Sequence, residues 1–277
     1  MQSLQDLYRF AQELTYSEHI MPTLFIGHGS PMNAIEDSVF SKNWSSLGQT
    51  IPTPKAILVI SAHWLTKGSY LTAMDFPATL HDFRGFPQAL FDVVYPAPGS
   101  PSLALETQAL ARPFDLLLDH DWGLDHGTWS ITKHLFPKAD IPVLQLSIDY
   151  YKPLAYHYQL AQQLRELRKK GVLIIGSGNL VHNLRLLSWE QMGQDYGFDW
   201  AIEIDALFQK NIASYNYKDL IAYEKLHPQI KLAIPTSEHY IPMLYNLGLR
   251  EAKDDLFFFN EAYVGGSLSM TSFMYYQ

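Results

Sequence analysis

Short uninterrupted apolar runs alternate along the chain with longer amphipathic stretches. The apolar runs are TLFI at 23–26, AILVIS at 56–61, IPVLQLSI at 141–148 and VLIIGS at 172–177. Such runs lack the apolar–polar alternation of a half-exposed strand and are typical of strands covered on both faces. The pattern therefore predicts a buried, mostly parallel sheet.

Helical patterns fill the intervals between these strands. PLAYHYQLAQQLRELRKKG at 153–171 begins with a proline suited to a first helical turn and ends in cationic residues and a glycine. Its position between two apolar strands predicts a βαβ unit. Further helices are predicted at 101–111, 129–136, 199–214 and in EHYIPMLYNLG after Ser237. We expect an α/β fold in which helices flank a mostly parallel central sheet.

The chain contains no internal repeat and no linker-like segment, so we expect one domain after a short N-terminal extension. A helical extension is predicted over residues 1–20, because apolar residues recur at helical spacing in positions 3–15. The stretch 76–101 is rich in proline, glycine and aromatic residues. It predicts a long ordered loop, and such loops are usually functional.

Composition and charge argue against several classes of function. The formal charge is -8, and no basic cluster exceeds the RKK at 168–170, so nucleic acid is not an expected partner. No apolar run approaches the ~20 residues that span a bilayer, and no secretory signal is recognisable, which predicts a cytoplasmic protein without a membrane partner. The chain has no cysteine. Any metal ion must therefore be held by histidine, aspartate or glutamate.

Three of the eleven histidines directly follow apolar strands. His28 follows TLFIG, His63 follows AILVISA and His182 follows VLIIGSG. Because ligands of open parallel sheets bind beyond the carboxyl ends of the strands, we expect these side chains to converge at that edge. His126 in DWGLDHGTW and His239 in PTSEHY are the next candidates, since each lies in a loop or at a helix start.

Neighbouring buried imidazoles must share a cation or leave nitrogens unsatisfied, at a cost of about 1 to 3 kcal/mol each. His28, His63 and His239 together therefore predict a metal site at the carboxyl ends of the strands. Zinc, Fe(II) and Mn(II) all suit histidine and carboxylate ligands. His81 lies in the long loop and could reach the site, so it is intermediate between the candidate site residues and the structural histidines. A structural role is the simpler interpretation for the remaining histidines, which are His19, His120, His134, His157 and His227.

Seven motifs together are recognisable. They are GHGSPMN at 27–33, SAHW at 61–64, HDFRGFPQALFDVVYPAPGSP at 81–101, WGLDHGTW at 122–129, VLQLSID at 143–149, GSGNLVHNLR at 176–185 and PTSEHYIPMLY at 235–245. This set resembles the 4,5-DOPA extradiol dioxygenase family. That family belongs to the class III extradiol ring-cleaving enzymes, related to the catalytic subunit of protocatechuate 4,5-dioxygenase. The resemblance implies that residues 21–277 form a catalytic domain of this class.

The resemblance also implies roles for individual residues. The metal positions of the family correspond to His28, His63, His182 and His239. Glu238 is the alternative to His239, because some relatives use a glutamate at that position. His182 also corresponds to the catalytic base of the family, so its role can be that of a metal ligand or that of the base. His126 corresponds to a catalytic histidine that lies beside the metal ligands without being one of them and is associated with substrate or oxygen binding.

The implied reaction is oxygen-dependent cleavage of a catechol beside its diol, which yields a muconic semialdehyde; DOPA is the implied substrate. The implied cofactor is one divalent metal ion per chain, with zinc expected as the bound ion and Fe(II) needed for activity. A zinc hydrolase that uses His182 or Glu238 as its base is the alternative. A metal-binding protein without activity is a third hypothesis. The expected assembly is a monomer or small homo-oligomer.

Overall fold

The structure is a computed structural model that describes residues 20–277. The helix predicted within positions 3–15 lies outside this range, as does all but the last residue of the predicted extension. Eight strands form the main sheet, in the order β4-β3-β5-β2-β6-β1-β10-β7, and β8 and β9 form a separate pair. The strands are β1 (Thr23–Gly27), β2 (Ala56–Thr66), β3 (Ser69–Thr72), β4 (Leu116–Asp119), β5 (Val143–Asp149), β6 (Val172–Gly178), β7 (Asp255–Phe259), β8 (Tyr263–Val264), β9 (Leu268–Ser269) and β10 (Ser272–Tyr276).

The four strands predicted from the apolar runs form the centre of the sheet. β5, β2, β6 and β1 lie side by side, and each neighbouring pair is parallel. β10 and β7 continue the sheet on one side in antiparallel pairs, and β3 pairs antiparallel with β5 on the other. The expected α/β fold with a mostly parallel central sheet is confirmed.

Helices cover both faces of the sheet. They are α1 (Val39–Thr50), α2 (Gln88–Phe91), α3 (Pro101–Leu110), α4 (His126–Leu135), α5 (Leu154–Gln163), α6 (Arg165–Lys169), α7 (Asp199–Ala213), α8 (Tyr217–Ile221), α9 (Ile230–Ala233) and α10 (Ile241–Leu249). Trp44 of α1 and Trp129 of α4 share one core cluster with alternate residues of the central strands, and α5, α7 and α10 pack on the opposite face. No helix of residues 20–277 combines the length and apolar character needed to cross a bilayer.

The helix predicted over 153–171 and the strand predicted over 56–61 both differ from their predicted form. The helix predicted over 153–171 is interrupted at Leu164, whose backbone N–H bonds to the Ala161 carbonyl three residues back, so the turn tightens there. β2 extends beyond the predicted end at 61, and its pairing with β5 shifts register between Ile60 and Leu65. His63 therefore lies within the irregular part of β2 and not after the strand.

The loop at 76–101 is irregular except for α2, as predicted, and backbone hydrogen bonds hold it against the segment that precedes α4. Leu124 N–H donates to the Ala78 carbonyl, and Leu80 N–H donates to the Leu124 carbonyl, each at 2.7 Å. The indole N–H of Trp129 donates to the Leu80 carbonyl at 2.8 Å. The loop is thereby fixed beside the start of α4.

Candidate metal centre

The carboxyl ends of β1 and β6 bring the first site residues together. Gly27 of β1 pairs with Gly178 of β6, and the N–H of His28 donates to the Gly178 carbonyl at 3.1 Å. A Cβ atom on Gly178 would collide with the carbonyl oxygen of His239, so glycine is needed for this approach. The backbone then turns at Gly29, where φ is +61°. The strand ends therefore place His28 beside His239.

A buried carboxylate holds the start of α4 against the irregular part of β2. Asp125 caps α4 by accepting from Thr128 N–H at 3.1 Å, and it also accepts from the Ser61 hydroxyl at 2.8 Å. The Gln145 amide donates to its other oxygen at 2.7 Å. Burial, followed by the charge of Asp82, raises the pKa of Asp125 to about 6. The cap makes His126 the first residue of α4, three residues before the predicted helix start.

Three of the predicted ligands form a compact triangle. The ring centroids of His28 and His63 are 5.0 Å apart, and the ring centroid of His239 lies 5.2 Å from that of His28 and 5.1 Å from that of His63. One nitrogen from each ring lies within 4.8 Å of the others. The structure therefore brings His28, His63 and His239 together at the carboxyl edge.

Hydrogen bonding determines which nitrogen of His28 carries the proton. The Ser177 hydroxyl donates to the Gly127 carbonyl at 2.6 Å, so its oxygen must accept from Nδ1 of His28 at 2.9 Å. Nε2 of His28 is then unprotonated, and it faces Nε2 of His63 at 3.1 Å. Two nitrogen ligands about 2.1 Å from one ion are roughly 3.0 to 3.5 Å apart at angles between octahedral and tetrahedral. The separation fits a shared cation.

The surroundings of His63 and His239 also fit a cation. Nδ1 of His63 lies 3.6 Å from a carboxylate oxygen of Asp82, which favours a proton on Nδ1 and a bare Nε2. Nδ1 of His239 is buried without a hydrogen-bond partner, and the Glu238 carboxylate is 3.7 Å away. Bare nitrogens that face one another repel unless an ion lies between them. The donor set therefore fits a divalent metal.

Burial keeps these imidazoles neutral. Burial first, and then the charges of neighbouring histidines, hold the pKa of His28 and of His239 well below the usual range. Burial, with a further contribution from His126, lowers the pKa of His63 to about 3. Burial lowers the pKa of His182 to about 4. Because metal ligands must be deprotonated, the site is in its binding form at neutral pH.

His182 lies beside the triangle. Its ring stacks on His239 with centroids 3.5 Å apart and an interplanar angle of 7°. His182, Glu238 and His239 form a second group of side chains that could hold a metal ion. The Glu238 carboxylate accepts from the Thr236 hydroxyl at 2.7 Å, so it already has a partner within the chain.

Asp82 and Ser177 also belong to the site, although the sequence did not indicate either of them. Asp82 accepts from the backbone N–H of His126 and contacts its ring nitrogen Nδ1, both at 2.9 Å. Burial raises the pKa of Asp82, but the hydrogen bond and charges of His126 and the charge of His63 outweigh it, so the pKa is lowered. The one available signal was its place in the long loop beside His81. His81 itself bonds to the Val93 carbonyl at 3.0 Å.

The histidines interpreted as structural have partners away from the triangle where the structure describes a contact. Nε2 of His134 bonds to the Asn33 carbonyl at 2.8 Å, and Nδ1 of His157 lies 3.1 Å from the Tyr245 hydroxyl. His227 lies 3.4 Å from the Glu203 carboxylate. His19 lies outside the described residues.

A cleft of about 680 Å³ opens beside the segment that follows His28. Its walls include Ser30 and Met32 from that segment, and the aromatic side chains of Phe86 and Trp189. Glu36 and Asp195 are its charged lining residues, and none of the lining residues is basic. The volume is that of a small-molecule site, and the charge favours a cationic group.

Known proteins are similar to this chain over nearly its whole length. The profile of the family described as the catalytic LigB subunit of aromatic ring-opening dioxygenase matches residues 15–263. A relative from Escherichia coli (strain K12), named 4,5-DOPA dioxygenase extradiol, is 43% identical over 94% of this chain and 97% of its own length. A relative of the same name from Beta vulgaris is 37% identical over 93% of this chain and 97% of its own length.

A solved structure shares the fold. The crystal structure of an uncharacterized protein from Escherichia coli K12 superposes with a TM-score of 0.80 at 40% identity, covering 92% of this chain and 99% of that one. The family match covers β1 to β7, the long loop and the histidine triangle described above. The chain belongs to the LigB family of aromatic ring-opening dioxygenases and is an extradiol dioxygenase.

Proposed function

We propose that this chain is an Fe(II)-dependent enzyme that opens the ring of a catechol such as DOPA by 4,5-cleavage, giving a muconic semialdehyde. The observation that carries the proposal is the 3.1 Å approach of the His28 and His63 Nε2 atoms. His239 lies in the same group, and its buried Nδ1 has no hydrogen-bond partner. The name shared by the relatives from Escherichia coli and Beta vulgaris supports DOPA as the substrate.

His28, His63 and His239 would hold the metal. His239 is preferred to Glu238 because its Nδ1 has no partner, whereas the Glu238 carboxylate accepts from Thr236. When bound, Fe(II) supplies the one-electron chemistry with dioxygen that redox-inert zinc lacks. Because zinc competes well for imidazole ligands, we expect it to occupy the site after ordinary expression.

His182 would act as the base that removes a catechol proton. Its buried imidazole is neutral, as a base must be before it accepts a proton. The Glu238 carboxylate lies within 4.8 Å of its ligand nitrogen and would stabilise the imidazolium that results. His126 would contact the substrate hydroxyl through the ring nitrogen that Asp82 does not bind.

The walls of the site suit an amino-acid catechol. The ring of Phe83 lies 5.6 Å from that of His126 in an edge-to-face arrangement, which provides an apolar surface for an aromatic ring. Glu36 and Asp195 in the adjacent cleft would attract the ammonium group of DOPA. A catechol that carries only a carboxylate lacks this attraction.

The decisive experiment loads the protein with Fe(II), adds DOPA without oxygen and then admits oxygen. We expect one O₂ consumed per catechol and a yellow semialdehyde, with faster turnover of DOPA than of protocatechuate. Absence of oxygen uptake for DOPA, catechol and protocatechuate would exclude the proposal. Ester or amide turnover by zinc-loaded protein without oxygen would instead support the hydrolase.

His182→Gln separates the two roles of that residue. A base that is not a ligand predicts retained metal, measured by elemental analysis, and a kcat reduced by about 10²- to 10⁴-fold. Loss of the metal from this variant would identify His182 as a ligand. His134→Gln is the control, because His134 bonds to the Asn33 carbonyl away from the triangle and is expected to keep both metal and rate.

A further inference from the structure

Asp82 engages His126 at two points. One carboxylate oxygen accepts from the backbone N–H, and the other lies 2.9 Å from the ring nitrogen Nδ1. An ionised carboxylate only accepts hydrogen bonds, so Nδ1 must carry the ring proton. In the neutral ring Nε2 then carries the lone pair, and it has no hydrogen-bond partner among residues 20–277.

We propose that Asp82 is a positioning residue that fixes the proton of His126 on Nδ1, so that His126 presents Nε2 as a hydrogen-bond acceptor at the site. The use of that acceptor for a catechol hydroxyl rests on the proposed function. The assignment of the tautomer rests only on the contacts between Asp82 and His126. A carboxylate that holds a histidine by its outer nitrogen sets both the tautomer and the ring plane.

The neighbours of Asp82 hold it in place. Two residues earlier, the Leu80 carbonyl accepts from the indole N–H of Trp129, which belongs to the same helix as His126. One residue later, the ring of Phe83 packs against the rings of His126 and Trp129. Asp82 thus joins the long loop to the first turn of α4, and loop position and His126 orientation are set together.

His126 is a closer partner of Asp82 than the ligand His63 is. The distance from Asp82 to Nδ1 of His63 is 3.6 Å, longer than a hydrogen bond, whereas both contacts with His126 are 2.9 Å. We therefore expect the metal to remain bound when the charge of Asp82 is removed.

Asp82→Asn gives a sharp test, because the backbone N–H of His126 donates in any tautomer. The amide oxygen of the asparagine must accept that bond, which turns its NH₂ group toward Nδ1. That group is a donor, so Nδ1 must give up its proton and Nε2 must take it. We expect ¹⁵N NMR of the zinc-loaded protein to show His126 protonated at Nδ1 in the wild type and at Nε2 in the variant.

The same variant is then assayed with iron and DOPA. We expect unchanged metal content, a kcat lowered by about 10²- to 10⁴-fold and a smaller change in KM, because an acceptor has become a donor. Asp82→Glu keeps a carboxylate and should retain the wild-type tautomer and part of the rate. Asp92→Asn is the matched control from the same loop, where the exposed Asp92 carboxylate contacts Gln88.

Three results would overturn the inference: an unchanged His126 tautomer in Asp82→Asn, a changed tautomer with wild-type kcat, or loss of zinc, which would mean that Asp82 supports His63. Failure of the proposed function looks different. Wild-type protein would then show no oxygen uptake, while the tautomer and the zinc content would still decide whether Asp82 positions His126.

Discussion

Ionisable side chains are buried at both ends of the central sheet, but the Arg168–Asp254 pair at the amino end is satisfied within the chain, whereas the histidine triangle at the carboxyl end is not. At the amino end, Arg168 and Asp254 are completely buried, and all three guanidinium nitrogens of Arg168 donate hydrogen bonds. Two of those bonds go to the Asp254 carboxylate, and the others reach the carbonyls of Met21 and Leu249.

At the carboxyl end the corresponding groups are incompletely paired. Nε2 of His28 faces Nε2 of His63 at 3.1 Å, and Nδ1 of His239 has no partner. Each unmet buried polar group costs about 1 to 3 kcal/mol. The amino end thus fixes the fold, whereas the carboxyl end retains unfavourable contacts that a metal ion would relieve. What distinguishes the candidate site is that several incompletely paired imidazoles lie within reach of one ion, whereas the buried unpartnered Nε2 of His157 belongs to no such group.

The largest expected effect is at the amino end. Arg168→Leu would leave the buried Asp254 carboxylate without its cation, which costs about 3 to 5 kcal/mol of unfolding free energy. Urea unfolding of metal-free protein measures this loss. Lys169→Leu is the control, because the ion pair of Lys169 with Glu166 is exposed, and exposed pairs contribute little to stability.

A double variant sharpens this test. Arg168→Leu combined with Asp254→Leu removes both charges, so it should recover much of the stability that the single variant loses. If Arg168→Leu is no less stable than Lys169→Leu, the amino end does not have the stabilising role assigned to it.

The second-largest expected effect is at the carboxyl end of the sheet. His239→Phe removes the unpartnered Nδ1 while keeping an aromatic ring, so metal-free variant and wild type should differ by no more than about 1 kcal/mol, or the variant should be more stable. Saturating zinc at 100 to 1000 times Kd should stabilise the wild type by about 3 to 4 kcal/mol. The variant should gain much less.

Thermal or urea unfolding with and without zinc measures both quantities. Lys169→Leu should keep the whole zinc-dependent gain, because it is remote from the triangle. Equal gains in wild type and His239→Phe would show that His239 is not a ligand, and no gain in the wild type would contradict the metal site.

The centre of the sheet was predictable because its strands are buried on both faces and are therefore continuous apolar runs. The outer strands β3 and β4 were missed, since each has four residues and β4 is only partly buried. The start of α4 was also missed, because its capping residue Asp125 lies in a turn-rich stretch without apolar periodicity.

The site was partly predictable for a related reason. His28 and His182 follow apolar runs, so strand ends indicated their place. Asp82 follows no strand, and its partner His126 is 44 residues away in the sequence. The proton on His28 depends on Ser177, 149 residues away. Such long-range contacts leave no local pattern, and only the fold reveals them.

The smallest expected effect concerns pH and a buried histidine outside the site. Burial lowers the pKa of His157 to about 4, and in the unfolded chain an ordinary histidine titrates near ~6.5. Between these values the unfolded state binds more protons, so stability is full above pH ~6.5 and falls as pH drops toward 4. The same sign applies to His182, whose pKa is also about 4.

Metal-free His157→Phe should therefore lose stability with falling pH less steeply than the wild type, by up to about 1.4 kcal/mol per pH unit for one proton. Unfolding free energies at several values between pH 4 and 7 measure the slope, and Lys169→Leu should leave it unchanged because lysine stays protonated there. Zinc content should stay at the wild-type level in His157→Phe and be lost in His239→Phe. A parallel loss in both variants would remove the distinction between a buried structural histidine and a metal ligand.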